Sequence, residues 1–478
     1  MDTIRRVSRN IFFQGISELI TKGIQIVILI YIARLLRETE FGKFNFAIAF
    51  TTISLIFIDL GLQPLLVREI SRKNELASKY VFHTIIIKSI SSLIGFFIVV
   101  IIMNFMGYAN DVRLIVYLMF LSTIFKSLTD ALSSVFLAFE RMQWDTFMKI
   151  VRAILLMSLV FFGLIKNFEL IYIALMYVIT EFLVLVLCLN IIFTRFIKFT
   201  ASIQKGLIRH LTLESLPFAL TVLFYNIYFY IDSVMLSKMR GLYEVGIYSA
   251  AYNLTIALVS IPYIYVYSIF PSLSRFYVNS KESIKFAYKK SLLYISLIAL
   301  PITAIFFFAG DNIIHFLYGA GYHKSVLVLK IVAITIFFRF ITFVNGIVII
   351  SIDKQKQRLY YQGLTALINI GLNFILIPKY GYIGAAFATV ATELFLFITY
   401  FFPIVAYFKT WKYTGLLLKP IIATSLASLI FFISVNTFIK ILIFGIVYAA
   451  ILLSLKVFKP EDWSIFKRII TFYRNKSA

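Results

Sequence analysis

Long apolar stretches, separated by short polar breaks, follow one another along the whole chain. Most are roughly 18 to 25 residues long, enough for a helix to cross a hydrocarbon core of about 30 Å. We therefore predict an all-α polytopic membrane protein with about fourteen transmembrane helices. The predicted spans are 12–33, 43–63, 80–106, 114–138, 147–165, 170–194, 213–237, 244–270, 288–309, 325–351, 359–378, 383–407, 416–436 and 438–457.

The composition agrees with this reading, because 61% of the residues are apolar, only 14% are charged and the mean hydropathy is +0.94. The surface of a soluble domain does not cover so much apolar material. The predicted spans leave no stretch for a soluble catalytic domain. The formal charge of +24 lies mainly in short loops, which favours contact with anionic lipid headgroups over nucleic acid.

Lysine and arginine concentrate in alternate loops, and such loops stay on the cytoplasmic side. Summing the loops gives about 31 basic residues inside and about 10 outside when the N-terminus is cytoplasmic. An even number of spans puts the C-terminus inside too. The sequence thus predicts a multi-pass protein of the inner (cytoplasmic) membrane with both termini in the cytoplasm.

The sequence offers little for catalysis, metal binding or a cofactor. Cys188, the single cysteine, lies within the sixth span and is predicted to pack there. The four histidines are scattered, without metal-ligand spacing, and no glycine-rich nucleotide loop occurs. We expect a transporter without cofactors, driven by the membrane potential, H⁺ or Na⁺.

The two halves of the chain contain similar segments in the same order. Tyr31-Ile32-Ala33 followed by Glu40-Phe41-Gly42 matches Tyr230-Ile231-Asp232 followed by Glu244-Val245-Gly246. Two further pairs of segments match: 70–72 with 273–275, and 178–182 with 390–394. The repeated elements lie six spans apart, so both copies cross the membrane in the same direction.

This repeat predicts two parallel six-helix lobes with substrate bound between them. The N-terminal lobe covers residues 1–211 and the C-terminal lobe residues 212–410. Two additional spans occupy 411–457, and a cytoplasmic tail follows at 458–478.

Two stretches of the first half, Leu35 to Gly42 and Gly61 to Arg72, are similar to the opening signature of polysaccharide flippases of the O-antigen type. A stretch of the second half, Tyr230 to Asp232 with Glu244 to Tyr248, resembles the seventh and eighth spans of that family. The superfamily also holds lipid II flippases and multidrug and toxin extrusion antiporters.

The resemblance implies a cavity that opens alternately to each side of the membrane. The implied cargo is an undecaprenyl-pyrophosphate-linked oligosaccharide, moved to the outer leaflet for O-antigen, capsule or similar surface polysaccharide. A polysaccharide polymerase and a chain-length regulator are the implied protein partners, beside membrane lipids.

A flippase must offer the diphosphate a polar path, so cations within spans are the first candidates for its site. Lys22, Lys126 and Arg339 lie mid-span and are predicted to contact substrate in the cavity. Alternatives stay open for all three, since Glu18 and Asp130 lie one turn from the lysines, and Glu181 or Glu393 could pair with Arg339. Lys88 and Lys330 lie nearer to span ends and are interpreted as snorkelling.

Other charged residues have two readings each. Arg68, Arg72 and Arg275 flank the predicted cytoplasmic mouths, where they either capture the diphosphate or only obey the positive-inside rule. Glu181 and Glu393 occupy equivalent mid-span positions and either carry a coupling ion or balance a buried base. Glu18 and Asp130 have the same two readings.

The seventh and eighth spans are rich in tyrosine and asparagine, which suit sugars, although tyrosine also favours membrane interfaces. The candidate sugar contacts are Tyr225, Asn226, Tyr228, Tyr248, Tyr252 and Asn253.

Two other functions remain in view. A cation-coupled multidrug antiporter shares the fold, but its cavity calls for acidic dominance, whereas bases at least match acids in these spans. A membrane polysaccharide polymerase or ligase needs an outer reaction site, and the longest predicted outer segment, roughly 310–324, is short and poor in catalytic groups.

Overall fold

The computed structural model of the chain describes residues 2–198, 203–409 and 414–462. Its helices are joined by short connections, and no β-strand occurs among these residues. The helices are α1 (Asp2–Ile53), α2 (Ile56–Asp59), α3 (Leu62–Arg72), α4 (Ala77–Met106), α5 (Asn110–Ala138), α6 (Met142–Ile165), α7 (Leu170–Arg195), α8 (Lys205–Met239), α9 (Leu242–Ala257), α10 (Ser260–Asn279), α11 (Lys281–Phe308), α12 (Gly310–Tyr318), α13 (Ser325–Ser351), α14 (Gln355–Phe408), α15 (Leu418–Ala427) and α16 (Thr437–Ser454).

Twelve continuous helical segments in the described part of the chain are long and apolar enough to cross a membrane. Two of them are too long for one crossing. A straight helix of the length of α14 would extend about 80 Å, more than twice the hydrocarbon thickness.

Both long helices contain a break where one crossing ends and the next begins. In α1 the break is at Arg37, which has a φ of 65°, and in α14 it is at Gly381, with a φ of 58°. At Gly381 the positive φ has no steric cost, because glycine lacks a Cβ, whereas Arg37 adopts a positive φ against that cost. Counted at these breaks, the described segments give fourteen crossings, which confirms the predicted all-α polytopic fold.

The last two predicted spans also appear as separate helices. A one-turn break precedes α16, and the side chain of Asn436 caps that helix by accepting a hydrogen bond from the Phe438 N–H at 2.9 Å. The predicted boundary at Asn436 is therefore confirmed.

Contacts divide the chain into two compact units. Unit 1 comprises residues 1–260, 317–328 and 359–392, and unit 2 comprises residues 261–316, 329–358 and 393–478. The predicted lobe boundaries at residues 211, 410 and 457 stay a prediction.

Each unit has an apolar core of its own. In unit 1, α3, α4, α5 and α7 enclose a cluster that includes Leu65, Val135 and the fully buried Cys188, which confirms a packing role for the cysteine. In unit 2, α11, α15 and α16 pack around Ala423, Phe444 and Tyr448.

Candidate substrate cavity

A cavity of about 390 Å³ opens within unit 1 and is lined by α1, α5, α6 and α7. Lys22 projects into it from α1, Lys126 from α5, and Lys149 and Arg152 from α6. Glu18 and Glu181 are the acidic residues of its lining. Four basic and two acidic side chains therefore face one space inside an apolar protein.

Three of these four cations are held by acids. The Lys126 ammonium lies 2.7 Å from an Asp130 oxygen, and Lys149 lies 2.8 Å from Asp145. Arg152 bridges two carboxylates, with Nε 3.0 Å from Glu181 and Nη2 3.4 Å from Asp130. These pairs fix the positions of the three cations around the cavity, and the three carboxylates balance their positive charges.

Lys22 differs from the other three. Its ammonium donates a long hydrogen bond of 3.5 Å to the side-chain oxygen of Gln25, and no ion pair joins it to another described residue. Glu18, one turn earlier on α1, lines the same cavity without pairing with it. The Glu18–Lys22 pair that the sequence left open is thus not formed, and Lys22 faces the cavity without an acidic partner among the described residues.

A second, smaller cavity of about 70 Å³ shares Lys22, Gln25, Leu29 and Ile48 with the first. Its remaining lining comes from α1, α8 and α9 and carries hydroxyl and amide groups instead of further charges. They are Asn45, Tyr230, Ser233, Ser249, Tyr252 and Asn253. The two cavities thus combine a region of charged side chains with an uncharged polar region.

Beyond the small cavity, α1 and α9 cross at Gly42 and Gly246. A Cβ on Gly42 would overlap the carbonyl of Leu242, and a Cβ on Gly246 would overlap the carbonyl of Glu38. The Tyr322 hydroxyl donates to the carbonyl of Ala33 at 3.0 Å in the same region. The backbones are therefore in direct contact, and this end of unit 1 is closed.

Arg339, predicted to face the cavity, lies instead in unit 2 in a buried ion pair. Its Nε donates to Glu393 Oε1 at 2.6 Å, and the side chains are 3% and 1% exposed. This is the pair that the sequence offered as the alternative. Arginine and carboxylate compensate each other here, since an unpaired charge would be costly in an apolar interior.

Glu181 and Glu393, matched by the internal repeat, each bind an arginine: Arg152 in the first half and Arg339 in the second. Asp130 binds Arg152 as well as Lys126. In this structure the three acids balance the charges of buried or half-buried bases. A coupling role for these acids stays a prediction.

The tyrosines and asparagines predicted to contact sugar do not form one surface. Tyr252 and Asn253 line the small cavity. Asn226 donates to the Thr52 carbonyl at 2.8 Å, and Tyr248 donates to Asp232. Tyr225 contacts the Phe229 ring at a tilt and Tyr228 contacts it edge-on. The sequence pattern thus marked these helices without revealing which faces meet the cavity.

The predicted mouth arginines are on the surface. Arg68 contacts Glu69 at 2.9 Å and Glu214 at 3.2 Å, and Arg72 lies 3.5 Å from Glu69. Arg275 is exposed. Diphosphate capture by these residues stays a prediction.

Asp232 is a functional candidate that the sequence reasoning missed. It is fully buried in unit 1, where Tyr248 and Thr389 each donate to its Oδ2 at 2.8 Å and Asn373 donates to its Oδ1. No described lysine, arginine or histidine forms an ion pair with it. The repeat contained a signal, because Asp232 occupies the position of Ala33 in the first half.

Lys88 corrects another interpretation. Its side chain is fully buried, pairs with Asp59 and donates to the Ser127 hydroxyl at 2.8 Å, so it does not snorkel. Asp59 lies at the end of the short helix α2, far from Lys88 in sequence, which is why spacing along one helix did not reveal the pair.

Comparison with known proteins gives two family matches. A family described as polysaccharide biosynthesis protein matches residues 7–277, more than half of the chain. The family MatE matches residues 217–375. An uncharacterized membrane protein, MJ1068 of Methanocaldococcus jannaschii, is 21% identical over 394 residues, which are 75% of this chain and 77% of that protein.

Solved structures share the fold. The lipid II flippase MurJ in an inward closed conformation gives a TM-score of 0.76 at 19% identity, over 96% of this chain and 100% of that one. An inward-facing multidrug resistance MATE transporter gives 0.67 at 14% identity, over 83% and 99%. A transporter from Pyrococcus furiosus, whose title reports a binding pocket of reverse polarity, gives 0.59 at 13% identity, over 84% and 96%.

Proposed function

We propose, from the premise that this chain belongs to the polysaccharide biosynthesis protein family, that it is a flippase for a polyprenyl-diphosphate-linked oligosaccharide. The cargo would be an undecaprenyl-pyrophosphate-linked repeat unit, moved from the cytoplasmic to the outer leaflet for surface polysaccharide synthesis.

The observation that carries the proposal is the position of Lys22. It faces the cavity without an acidic partner among the described residues, while Lys126, Lys149 and Arg152 line the same space. A diphosphate diester carries about two negative charges, and lysine binds phosphate oxygens as a point charge. Lys22 would bind the diphosphate, while Lys126, Lys149 and Arg152, each already paired with a carboxylate, would offer further N–H donors beside it.

The uncharged region of the small cavity favours sugar as the neighbouring part of the cargo. Asn45, Asn253 and Ser249 supply amide and hydroxyl groups, which exchange hydrogen bonds with sugar hydroxyls at little net cost. The lipid tail would stay in the bilayer. A charged cavity beside an uncharged polar cavity fits a cargo in which a diphosphate carries a neutral sugar.

The closed crossing of α1 and α9 supports a mechanism of alternating access. If the N-terminus is cytoplasmic, as the basic loops predict, the crossing at Gly42 and Gly246 faces outward and the larger cavity opens inward. The cargo would enter from the cytoplasmic leaflet. Opening of the crossing would then release it outside.

The driving force has two sources in this proposal. Outward movement of one negative charge across an inside-negative membrane gains about 2.3 kcal/mol per 100 mV. Asp232 is the better candidate for H⁺ or Na⁺ coupling than Glu181 or Glu393, because each glutamate is already paired with an arginine. A buried Asn373 Oδ1 without a hydrogen-bond partner lies beside Asp232 and adds an oxygen suited to a hard cation.

Transport in proteoliposomes tests the function against the multidrug alternative. The purified protein should flip a fluorescent polyprenyl diphosphate disaccharide and should not transport the cationic dye ethidium. Dye transport without flipping of the lipid-linked sugar would refute the proposal and favour an antiporter.

The Asp232→Asn variant tests the coupling separately. The amide keeps the size of the side chain but removes its charge. We expect flipping driven by an imposed H⁺ or Na⁺ gradient to fall to the rate without a gradient, while flipping driven by a K⁺ diffusion potential continues. An unchanged response to both gradients would remove Asp232 from the coupling mechanism.

A further inference from the structure

A hydrogen bond joins α1 to α9 where the small cavity meets the glycine crossing. Asn253 of α9 donates from Nδ2 to Oδ1 of Asn45 in α1, over 2.8 Å. Asn45 follows Gly42 by three residues, and Asn253 follows Gly246 by seven, so each amide lies on the same helix face as the glycine that precedes it. The bond therefore lies one to two turns from the crossing, on its cavity side.

The amide of Asn45 is oriented by its own helix. Its Nδ2 donates to the carbonyl of Phe41, one turn earlier, at 2.8 Å. The oxygen of the amide is consequently the atom that faces α9. Asn45 thus offers an acceptor in a fixed direction, and Asn253 supplies the matching donor.

Both amides belong to the lining of the small cavity together with Lys22 and Gln25, so a molecule bound there would meet them. At the crossing itself, Gly42 and Gly246 present no side chains, and the contact there is between backbones. The Asn45–Asn253 hydrogen bond thus lies between the small cavity and the crossing. At the centre of the crossing no side chains of Gly42 or Gly246 hold the two helices together.

We propose that the Asn45–Asn253 hydrogen bond is a latch that a sugar of the cargo releases. A sugar hydroxyl or acetamido group in the small cavity donates to Asn45 Oδ1 and accepts from Asn253 Nδ2, so that both amides keep a partner while α1 separates from α9. Water can exchange the same two hydrogen bonds, but it is too small to hold α1 away from α9, whereas a sugar ring fills the space that opens between them. Opening of this end is thereby coupled to occupancy, and the sugar nearest the diphosphate acts as the releasing group.

The identity of the releasing ligand rests on the proposed function, whereas the latch itself does not. The test uses a reporter, Ser249→Cys, because Ser249 lines the small cavity and lies on α9. The native Cys188 is replaced by alanine in this background. A membrane-impermeant maleimide, added to the outer face of intact cells, then reports opening of the α1–α9 end.

We expect slow labelling with the latch intact and labelling several-fold faster in the Asn253→Ala variant. Asn45→Ala should act in the same direction, and the double variant should label no faster than the faster single variant, because both changes remove one bond. Asn253→Asp keeps the side-chain shape while removing the donor and should behave like Asn253→Ala. The matched control is Ser158→Ala, which removes an exposed hydrogen bond within α6, to the Ile154 carbonyl, and should leave labelling unchanged.

Ligand release is measured on the reporter protein in vesicles, with a polyprenyl diphosphate that either carries or lacks one N-acetylhexosamine. We expect only the glycosylated probe to accelerate labelling of the intact latch, and neither probe to accelerate it further in Asn253→Ala. Labelling of Asn253→Ala at the rate of the intact latch, or an equal response to both probes, would overturn the proposal. The labelling without probe needs no transport, so it distinguishes a failed latch from a chain that carries another cargo.

Discussion

Gly42 and Gly246, which the internal repeat places in equivalent positions, lie against each other where α1 crosses α9. A Cβ on Gly42 would lie 3.0 Å from the backbone nitrogen of Gly246, and a Cβ on Gly246 would lie 3.2 Å from that of Gly42. The contact is reciprocal, as expected when two copies of one segment are related by a two-fold axis. The segment repeated in the sequence is also the segment that closes this end of unit 1.

Alanine at either glycine should separate the two helices and weaken the closed state. Overpacking of this kind costs about 1 to 3 kcal/mol, and because each transport cycle must pass through the closed state, we expect flipping by Gly246→Ala or Gly42→Ala to fall roughly 5- to 150-fold. Flipping rates in proteoliposomes at equal protein content provide the measurement. Gly445→Ala is the matched control, because a Cβ there meets no atom within 4 Å and alanine favours the helix.

A wild-type flipping rate in both variants would mean that the close approach of α1 and α9 has no part in the transport cycle.

The sequence predicted the spans well because hydropathy depends on single residues and their neighbours. It predicted the breaks at Arg37 and Gly381 only as gaps between spans. Lys22 and Lys126 were identified as cavity residues since a cation in mid-span is costly and needs a polar environment. Lys149 and Arg152 were not, because they lie close to the start of the predicted span 147–165.

Pairings between distant residues were the part that sequence could not supply. Arg339 was a cavity candidate because it lies mid-span, but Glu393 reaches it from another helix. Lys88 and Asp59 likewise form an ion pair between two different helices. Which face of a helix meets which neighbour is decided by packing, and an apolar span carries little periodicity to reveal it.

The buried Arg339–Glu393 pair should be structural. Arg339→Ala leaves Glu393 uncompensated, and breaking such a pair costs about 3 to 5 kcal/mol. We expect low yield and a lowered Tm in detergent. The double variant Arg339→Met with Glu393→Leu removes both charges and should recover most of the Tm and a measurable flipping rate.

A stable Arg339→Ala protein with lost diphosphate binding would contradict this account and return Arg339 to the substrate site.

Asp462 should fasten the segment after α16 to α11. Its carboxylate accepts hydrogen bonds from Lys290 and Tyr294, each at 2.5 Å, and from the Lys459 N–H at 2.7 Å. Burial alone would raise the pKa of Asp462, but these hydrogen bonds hold that pKa below its usual range. Asp462→Asn should therefore lower the free energy of unfolding by about 1 to 3 kcal/mol at pH 7.

The pH dependence of that loss follows from the lowered pKa. The stabilisation by Asp462 is complete above the unfolded pKa of about 3.9 and disappears as the pH falls through the lower folded value. The difference in Tm between wild type and Asp462→Asn should be constant from about pH 8 to 5 and shrink in stronger acid.

Glu461→Gln is the control. Glu461 is 63% exposed and lies 3.7 Å from Lys290, so this variant should lower the Tm only slightly. Equal Tm values for Asp462→Asn and wild type at pH 7 would contradict the assignment.

The central claim is that Lys22 binds the diphosphate of a lipid-linked oligosaccharide, and the flipping rate of such a lipid in proteoliposomes tests it most directly. The wild-type protein should flip a fluorescent polyprenyl diphosphate disaccharide, and Lys22→Arg should retain part of that rate. The flipping rate of Lys22→Ala should fall about 10-fold or more at an unchanged Tm, because the variant loses one charged hydrogen bond of about 1.5 to 3 kcal/mol. Flipping by Lys22→Ala at the wild-type rate would contradict the account.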